Sequence, residues 1–321
     1  MRQTLVEQSG LIDESVRGHP APPLRPYVAW YSGYRQRGVP PTTQRGLPSP
    51  YLTLILTLDD PLILAGHCDP AQPPGSYLLL LGGLHTSPAL VTHDGRQSGV
   101  QIALSPLGAR ALLGLPAGEL GGLDLSADDV LGPDVVEAHE ALRLAADWPG
   151  RFSALDAWLL RRAAKLEARP LAPEVGQAWR LLLRTGGTAP VASVVREIGW
   201  SPRRLSGRFN DEIGLSPKAA ARVIRFDRAR RTLAARVMAA GSEGPGPGTG
   251  PTLGSGSGSA PGSGSGSAPG SGLGLADLAV ACGYFDQAHL DREFRALAGC
   301  PPVRWVAEEF RNIQAGAHFA A

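Results

Sequence analysis

The sequence predicts an α+β protein. A small N-terminal β barrel or sandwich with helices is followed by a C-terminal all-α region of two helix-turn-helix units joined by a long helix. Three observations carry this expectation. Short apolar runs broken by Gly, Pro and Asp fill residues 27–104, the pattern of a small sandwich or barrel. Beyond Pro106 the apolar spacing lengthens to the helical period. One pattern then occurs twice, as VASVVREIGWSPRRLSGRFNDEIGLSP over residues 191–217 and as LADLAVACGYFDQAHLDREFRALAGCPP over residues 275–302.

In chain order, residues 1–24 are expected to be a poorly ordered N-terminus, because Gly18, Pro20, Pro22 and Pro23 close a stretch without periodicity. Residues 25–170 form the expected N-terminal domain. Its strand candidates are 27–31 (YVAWY), 51–58 (YLTLILTL) and 62–64, with Asp59-Asp60-Pro61 as the turn of a hairpin between the last two. Strands at 76–81, 89–92 and 99–104 follow, the last two separated by Asp94-Gly95. Helices are expected over 107–113, 135–146 and 152–166, with Ser126 capping a further turn. Pro170 and Pro173 mark a joint between domains, and a helix over 174–184 ends at Gly186-Gly187.

The duplicated unit explains itself locally. Val191, Val194, Val195 and Ile198 fall at i, i+3, i+4, i+7, and Leu275, Leu278, Ala279 and Cys282 repeat that spacing. Gly199 and Gly283 follow, where a helix ends on a residue tolerant of positive φ. Ser201-Pro202 starts the second helix of the first copy as a cap and a proline at the first position. Leu205 and Phe209 mark its inward face, matched by Leu290 and Phe294. Trp200 and Tyr284, just after the turn glycines, are expected to seat these helices in their own core, and Cys282 to be a core residue. Ser216-Pro217 begins a helix to about residue 239, long enough at ~1.5 Å per residue to span ~30 Å. Residues 241–274 are nearly all Gly, Ser, Pro, Ala and Thr, with GSGSGSAP in tandem, and are expected as a disordered insert. A last helix is expected over 303–314.

Composition bounds the rest. Hydrophobic content of 43% and charged content of 19% describe a soluble globular protein. The longest apolar run falls far short of the ~20 residues of a membrane helix, and no secretory signal opens the chain. Three scattered cysteines, Cys68, Cys282 and Cys300, suit a reducing cytoplasm. Net charge is only +2, but residues 191–240 hold eleven Arg and Lys against four acids, a net of +7. A compact basic segment around a helix–turn–helix is the electrostatic footprint of a DNA binder. Residues 275–312 net −2, so the copies are not expected to grip DNA equally.

The paired units, the helix between them and the run Gly283-Tyr284-Phe285-Asp286-Gln287-Ala288-His289-Leu290-Asp291-Arg292-Glu293-Phe294, closed by Gly299-Cys300-Pro301-Pro302, resemble the AraC-type transcription regulators. The resemblance covers roughly residues 173–314. It implies a bipartite DNA-binding domain that places two recognition helices in successive major-groove turns. It puts the base-facing positions on Arg203, Ser206 and Gly207 in the first unit and on Gln287, Ala288, Asp291 and Arg292 in the second. Arg203 and Arg292 suit guanine, Gln287 adenine, and Asp291 the amino group of cytosine. Gly207 and Ala288 stand where the family carries polar readers. Arg204, Arg208 and Lys218 are assigned to phosphate. Residues 25–170 are similar in a general way to the sensor or dimerisation domains that precede such regions. The implied partners are double-stranded DNA, RNA polymerase, an unidentified small-molecule effector and a second copy in a homodimer. No cofactor, metal or catalytic residue is implied.

A different class of function competes. His67-Cys68-Asp69, His85 and His93 invite a metal-dependent barrel, and Cys68 a cysteine-based enzyme or sensor, with the helical region as an accessory tail. Their spacing matches no zinc or cupin pattern, and nothing near Cys68 in sequence supplies an activating base. No phosphate loop, nucleophile elbow or paired-carboxylate motif is present.

Overall fold

The computed structural model describes residues 2–8, 10–166, 171–242 and 274–314. An N-terminal antiparallel β-sheet domain packs against a helical C-terminal region. The strands are β1 (Arg2–Gln8), β2 (Leu11–Gly18), β3 (Val28–Arg37), β4 (Thr42–Gly46), β5 (Leu52–Thr57), β6 (Leu62–Gly66), β7 (Gly75–Tyr77), β8 (Leu79–Gly82), β9 (Ala89–His93), β10 (Arg96–Leu104) and β11 (Asp124–Ser126). They form a seven-stranded sheet in the order β1-β2-β3-β10-β5-β8-β11 and a four-stranded sheet in the order β4-β9-β6-β7.

The continuous apolar run of β5 follows from burial on both faces. Leu52, Leu54 and Leu56 enter a core shared with the helices, whereas Ile55 points into the core between the sheets, with Leu62, Leu64, Leu80 and Val91. The helical layer consists of α1 (Ala109–Leu113), α2 (Ala127–Leu131), α3 (Pro133–Leu144) and α4 (Trp148–Lys165). Arg162 of α4 fastens three of them. It is buried and donates to Leu112 O, and to Leu131 O at 3.0 Å.

The N-terminus corrects an expectation. Residues 11–18, read from sequence as poorly ordered, form β2, which pairs with β3 from Ile12↔Arg37 to Gly18↔Tyr31. Val16 is fully buried, and Gln36 Nε2 donates to Asp13 Oδ1 at 2.9 Å. The segment lacks clean alternation because both faces hold buried residues, Asp13 on one and Val16 and Gly18 on the other, so period-2 reading fails there. Gly18 is required by packing: a Cβ would lie 2.7 Å from the Phe152 ring. The expected strand at 27–31 is the start of the longer β3, and β4 had no sequence counterpart.

The helical region comprises α5 (Pro173–Arg184), α6 (Val191–Ile198), α7 (Pro202–Ile213), α8 (Pro217–Ser242), α9 (Leu275–Ala281), α10 (Gln287–Ala298) and α11 (Pro302–Gln314). The two short helical pairs, α6–α7 and α9–α10, are built alike. Gly199 (φ 75°) and Gly283 (φ 78°) occupy the left-handed region at the turns. Ser201 Oγ accepts from Arg204 N at 3.3 Å, and Asp286 Oδ1 from His289 N at 2.6 Å. Both pairs share one core with α8: Trp179, Leu205 and Phe209 on one side, Leu278, Cys282 and Leu290 on the other. Phe226 of α8 meets Phe294 of α10 edge-on, with ring centroids 4.9 Å apart.

Residues 167–170, at the start of the expected domain joint, and most of the Gly/Ser insert lie outside the described residues, whereas Pro173 starts α5 and the chain resumes at Gly274. There Arg236 Nη1 donates to Gly274 O at 3.0 Å, so the chain re-enters beside α8. Among the described residues no helix is long and apolar enough to cross a membrane.

The two halves are in intimate contact. Leu84 of the sheet domain is buried in the helical core. Arg110 of α1 grips Glu212 of α7 through Nε and Nη2 at 2.8 and 2.9 Å. Gly118 lies so close to Asp211 that a Cβ would overlap the Asp211 carbonyl oxygen.

Candidate nucleic-acid interface

Helix α7 separates its residues cleanly. Leu205, Phe209, Glu212 and Ile213 are buried, while Arg203, Arg204, Ser206, Gly207 and Arg208 are exposed. Arg203, Ser206 and Gly207 fall at i, i+3, i+4 and share one face. A Cβ at Gly207 would meet nothing within 4 Å, so the glycine leaves an open floor between two polar side chains. The Arg204 guanidinium stacks over Trp200, 4.3 Å from the ring centroid, which holds the charge at the start of the helix. Arg208 lies 4.0 Å from Asp211, a loose exposed pair.

On α10, Gln287, Ala288 and Arg292 are exposed. Asp291 differs. It is half-buried, its Oδ1 is buried without a hydrogen-bond partner, and burial lifts its carboxyl above the usual range against the pull of Arg295. His289 Nδ1 accepts from Phe285 N at 3.3 Å, and its ring stands edge-on to Tyr284 with centroids 5.2 Å apart, so it caps the turn. Phe285 itself is 88% exposed. It occupies the position before the cap, where an apolar residue ordinarily packs on the helix four residues beyond the cap; here Leu290 is buried and Phe285 stands away from it. Sequence reading passed over this residue, although an aromatic side chain outside the periodic set was the available signal.

Two of the four acids of the basic segment are turned inward. Asp227 is buried between Arg230 (2.7 Å) and Arg231 (2.5 Å), and Glu212 is committed to Arg110. Arg196, Arg203, Arg204, Arg208, Lys218 and Arg228 are left exposed against the exposed acids Glu197 and Asp211, so the surface of the segment stays positive. Arg222 of α8 binds Glu293 of α10 bidentately, Nε to Oε2 at 2.9 Å and Nη2 to Oε1 at 3.0 Å, and so ties the second pair to the long helix. The local sequence does not reveal this cross-brace.

In the N-terminal half a cavity of about 120 Å³ lies between the sheets, lined by Ile55, Leu64, Cys68 and Val91 and reached by Arg230 and Glu309 of the helical region. His67 Nδ1 is 2.9 Å from Asp124 Oδ2, which occupies the imidazole. Burial pushes the Cys68 thiol up to about 12, with Asp124 adding to the shift. A thiol so held is a poor nucleophile. Among the described residues no three His, Cys, Asp or Glu side chains converge to hold a metal ion.

Residues 16–126 match a sequence family described as a domain of unknown function (DUF6597), a span from within β2 to the end of β11. No curated protein matches the chain. Among solved structures, ToxT from Vibrio cholerae is similar at 10% sequence identity and a TM-score of 0.44, with 86% of this chain and 97% of that chain covered. The unsaturated fatty acid bound wild-type ToxT from Vibrio cholerae strain SCE256 gives 8% identity and a TM-score of 0.46, with 87% and 94% covered.

Proposed function

We propose that this chain is a sequence-specific, DNA-binding transcription regulator of the AraC type that responds to a small molecule. The observation that carries the reading is the repeated arrangement of α6–α7 and α9–α10 on one long helix. Each pair buries its apolar face in a common core and leaves exposed a helix whose outward side chains suit base edges. In this reading Arg203, Ser206, Gln287, Asp291 and Arg292 read bases, while Arg204, Arg208 and Lys218 hold phosphate. The cavity between the sheets gives an effector its seat. Arg230 and Glu309 reach that cavity from the helical half, so an occupant bears directly on the elements that carry α7 and α10. Recruitment of RNA polymerase, homodimerisation and a cytoplasmic site of action belong to the same proposal.

Selection of bound duplexes from a random pool tests it. Two short specified blocks separated by about one helical turn are expected. A single block would restrict reading to one pair, and enrichment of no sequence at all would defeat the regulator reading.

A further inference from the structure

We infer that the cleft between the two helical pairs binds a phosphodiester of the DNA backbone, in the stretch that joins the two blocks of bases. This rests on the DNA-binding reading and assigns a site within it. The cleft, of about 530 Å³, is walled by Thr188 of the loop before α6, by Val191 of the first pair and by His289 of the second, with Lys218, Arg222 and Arg225 of α8 along it. Its one acid, Glu293, is already taken by both edges of the Arg222 guanidinium. Lys218 and Arg225 are left as uncompensated positive charge.

Arg225 is held for such a task. Its Nη1 donates to Gly283 O at 3.3 Å and its guanidinium lies 5.3 Å from the Tyr284 ring centroid, while its Nε is buried without a hydrogen-bond partner. The start of α6 adds to the same field. Ser193 N and Val194 N both turn back to Pro190 O, at 2.9 and 3.2 Å, whereas the amides of Val191 and Ala192 have no partner among the described residues. Donors at a helix start favour an anion with several acceptor oxygens. A backbone phosphodiester supplies two unbridged oxygens and one charge, which matches an open cleft better than an enclosed pocket. A strand running from the exposed face of α7 to that of α10 would pass between pairs that the Arg222–Glu293 brace keeps in register.

The test uses the full chain and its selected duplex. Lys218→Gln changes an exposed side chain, and Arg225→Gln changes the better-held one. Each is expected to lower the slope of log affinity against log salt by about 0.9, the loss of one neutralised phosphate, and to weaken selected and scrambled duplexes equally. Neutral methylphosphonate at single positions between the two blocks should, at one position, cancel the effect of Arg225→Gln. An unchanged slope for both variants overturns the inference, as does an altered base preference or a persistent Arg225→Gln effect on every methylphosphonate duplex. Inorganic phosphate at fixed ionic strength is the control for a free-anion site, and its saturable binding without DNA overturns the backbone assignment. Wild-type protein that shows no sequence preference defeats the regulator reading instead, while the slope on random duplex still reports on the cleft.

Discussion

Arg203 enters α7 one residue after the proline that starts the helix, exposed and without a side-chain partner among the described residues. Replacing it with Ala is expected to cost ~1–3 kcal/mol of binding on the selected duplex and to relax one base position, read by repeating the selection. Equal loss on every sequence would move Arg203 to the phosphate group. The cysteines make a second prediction at this scale. Cys68, Cys282 and Cys300 are all buried, and burial raises each thiol. Iodoacetamide at pH 8 should label none of them in the native protein and all of them after denaturation, as counted by mass spectrometry. Rapid native labelling of Cys68 would restore the cysteine-chemistry alternative. Legibility at this scale divides by range. The outward placement of Arg203, Gln287 and Arg292 was readable because an i, i+4 apolar stripe fixes which side of a helix faces out. Arg110 and Glu212 were not, since partners separated by 102 residues leave no local pattern.

At the scale of elements, α6–α7 and α9–α10 were readable from their turn glycines, caps and inward Leu–Phe pairs. The strands β1, β2 and β4 were not, because their register is set by their neighbours β2, β3 and β9 rather than by their own alternation. The contact between Gly118 and Asp211 joins elements from the two halves with no side chain between them. Gly118→Ala must push them apart, and a loss of ~1–3 kcal/mol is expected, measured as a lower denaturation midpoint with faster amide exchange over 210–214. The link from α8 to α9 behaves in the opposite way. Gly274 is bonded to Arg236, only ~9 Å along the helix axis from Ser242, so a short loop reaches. Deleting residues 246–268 should leave DNA affinity unchanged and raise stability by ~1 kcal/mol, about two halvings of loop length. A weakened dissociation constant would show that the long link itself couples the two pairs.

For the molecule as a whole, the boundary between halves is not a boundary of cohesion. Leu84 completes the helical core, Arg110 satisfies Glu212, and Arg45 bonds Glu308 of α11. Calorimetry should therefore show one cooperative transition with equal van't Hoff and calorimetric enthalpies, and a fragment beginning at residue 171 should melt lower than the full chain. Two separated transitions would mean that the halves fold independently. The same closeness of Gly274 to Arg236 bears on how the sequence can change over generations. With Gly274 held beside α8, the link between α8 and α9 is a place where replication slippage could add or drop an eight-residue GSGSGSAP repeat without moving a core atom. Length polymorphism among natural variants is expected to gather there, while the brace at Arg222 and Glu293 holds the spacing that the DNA would measure.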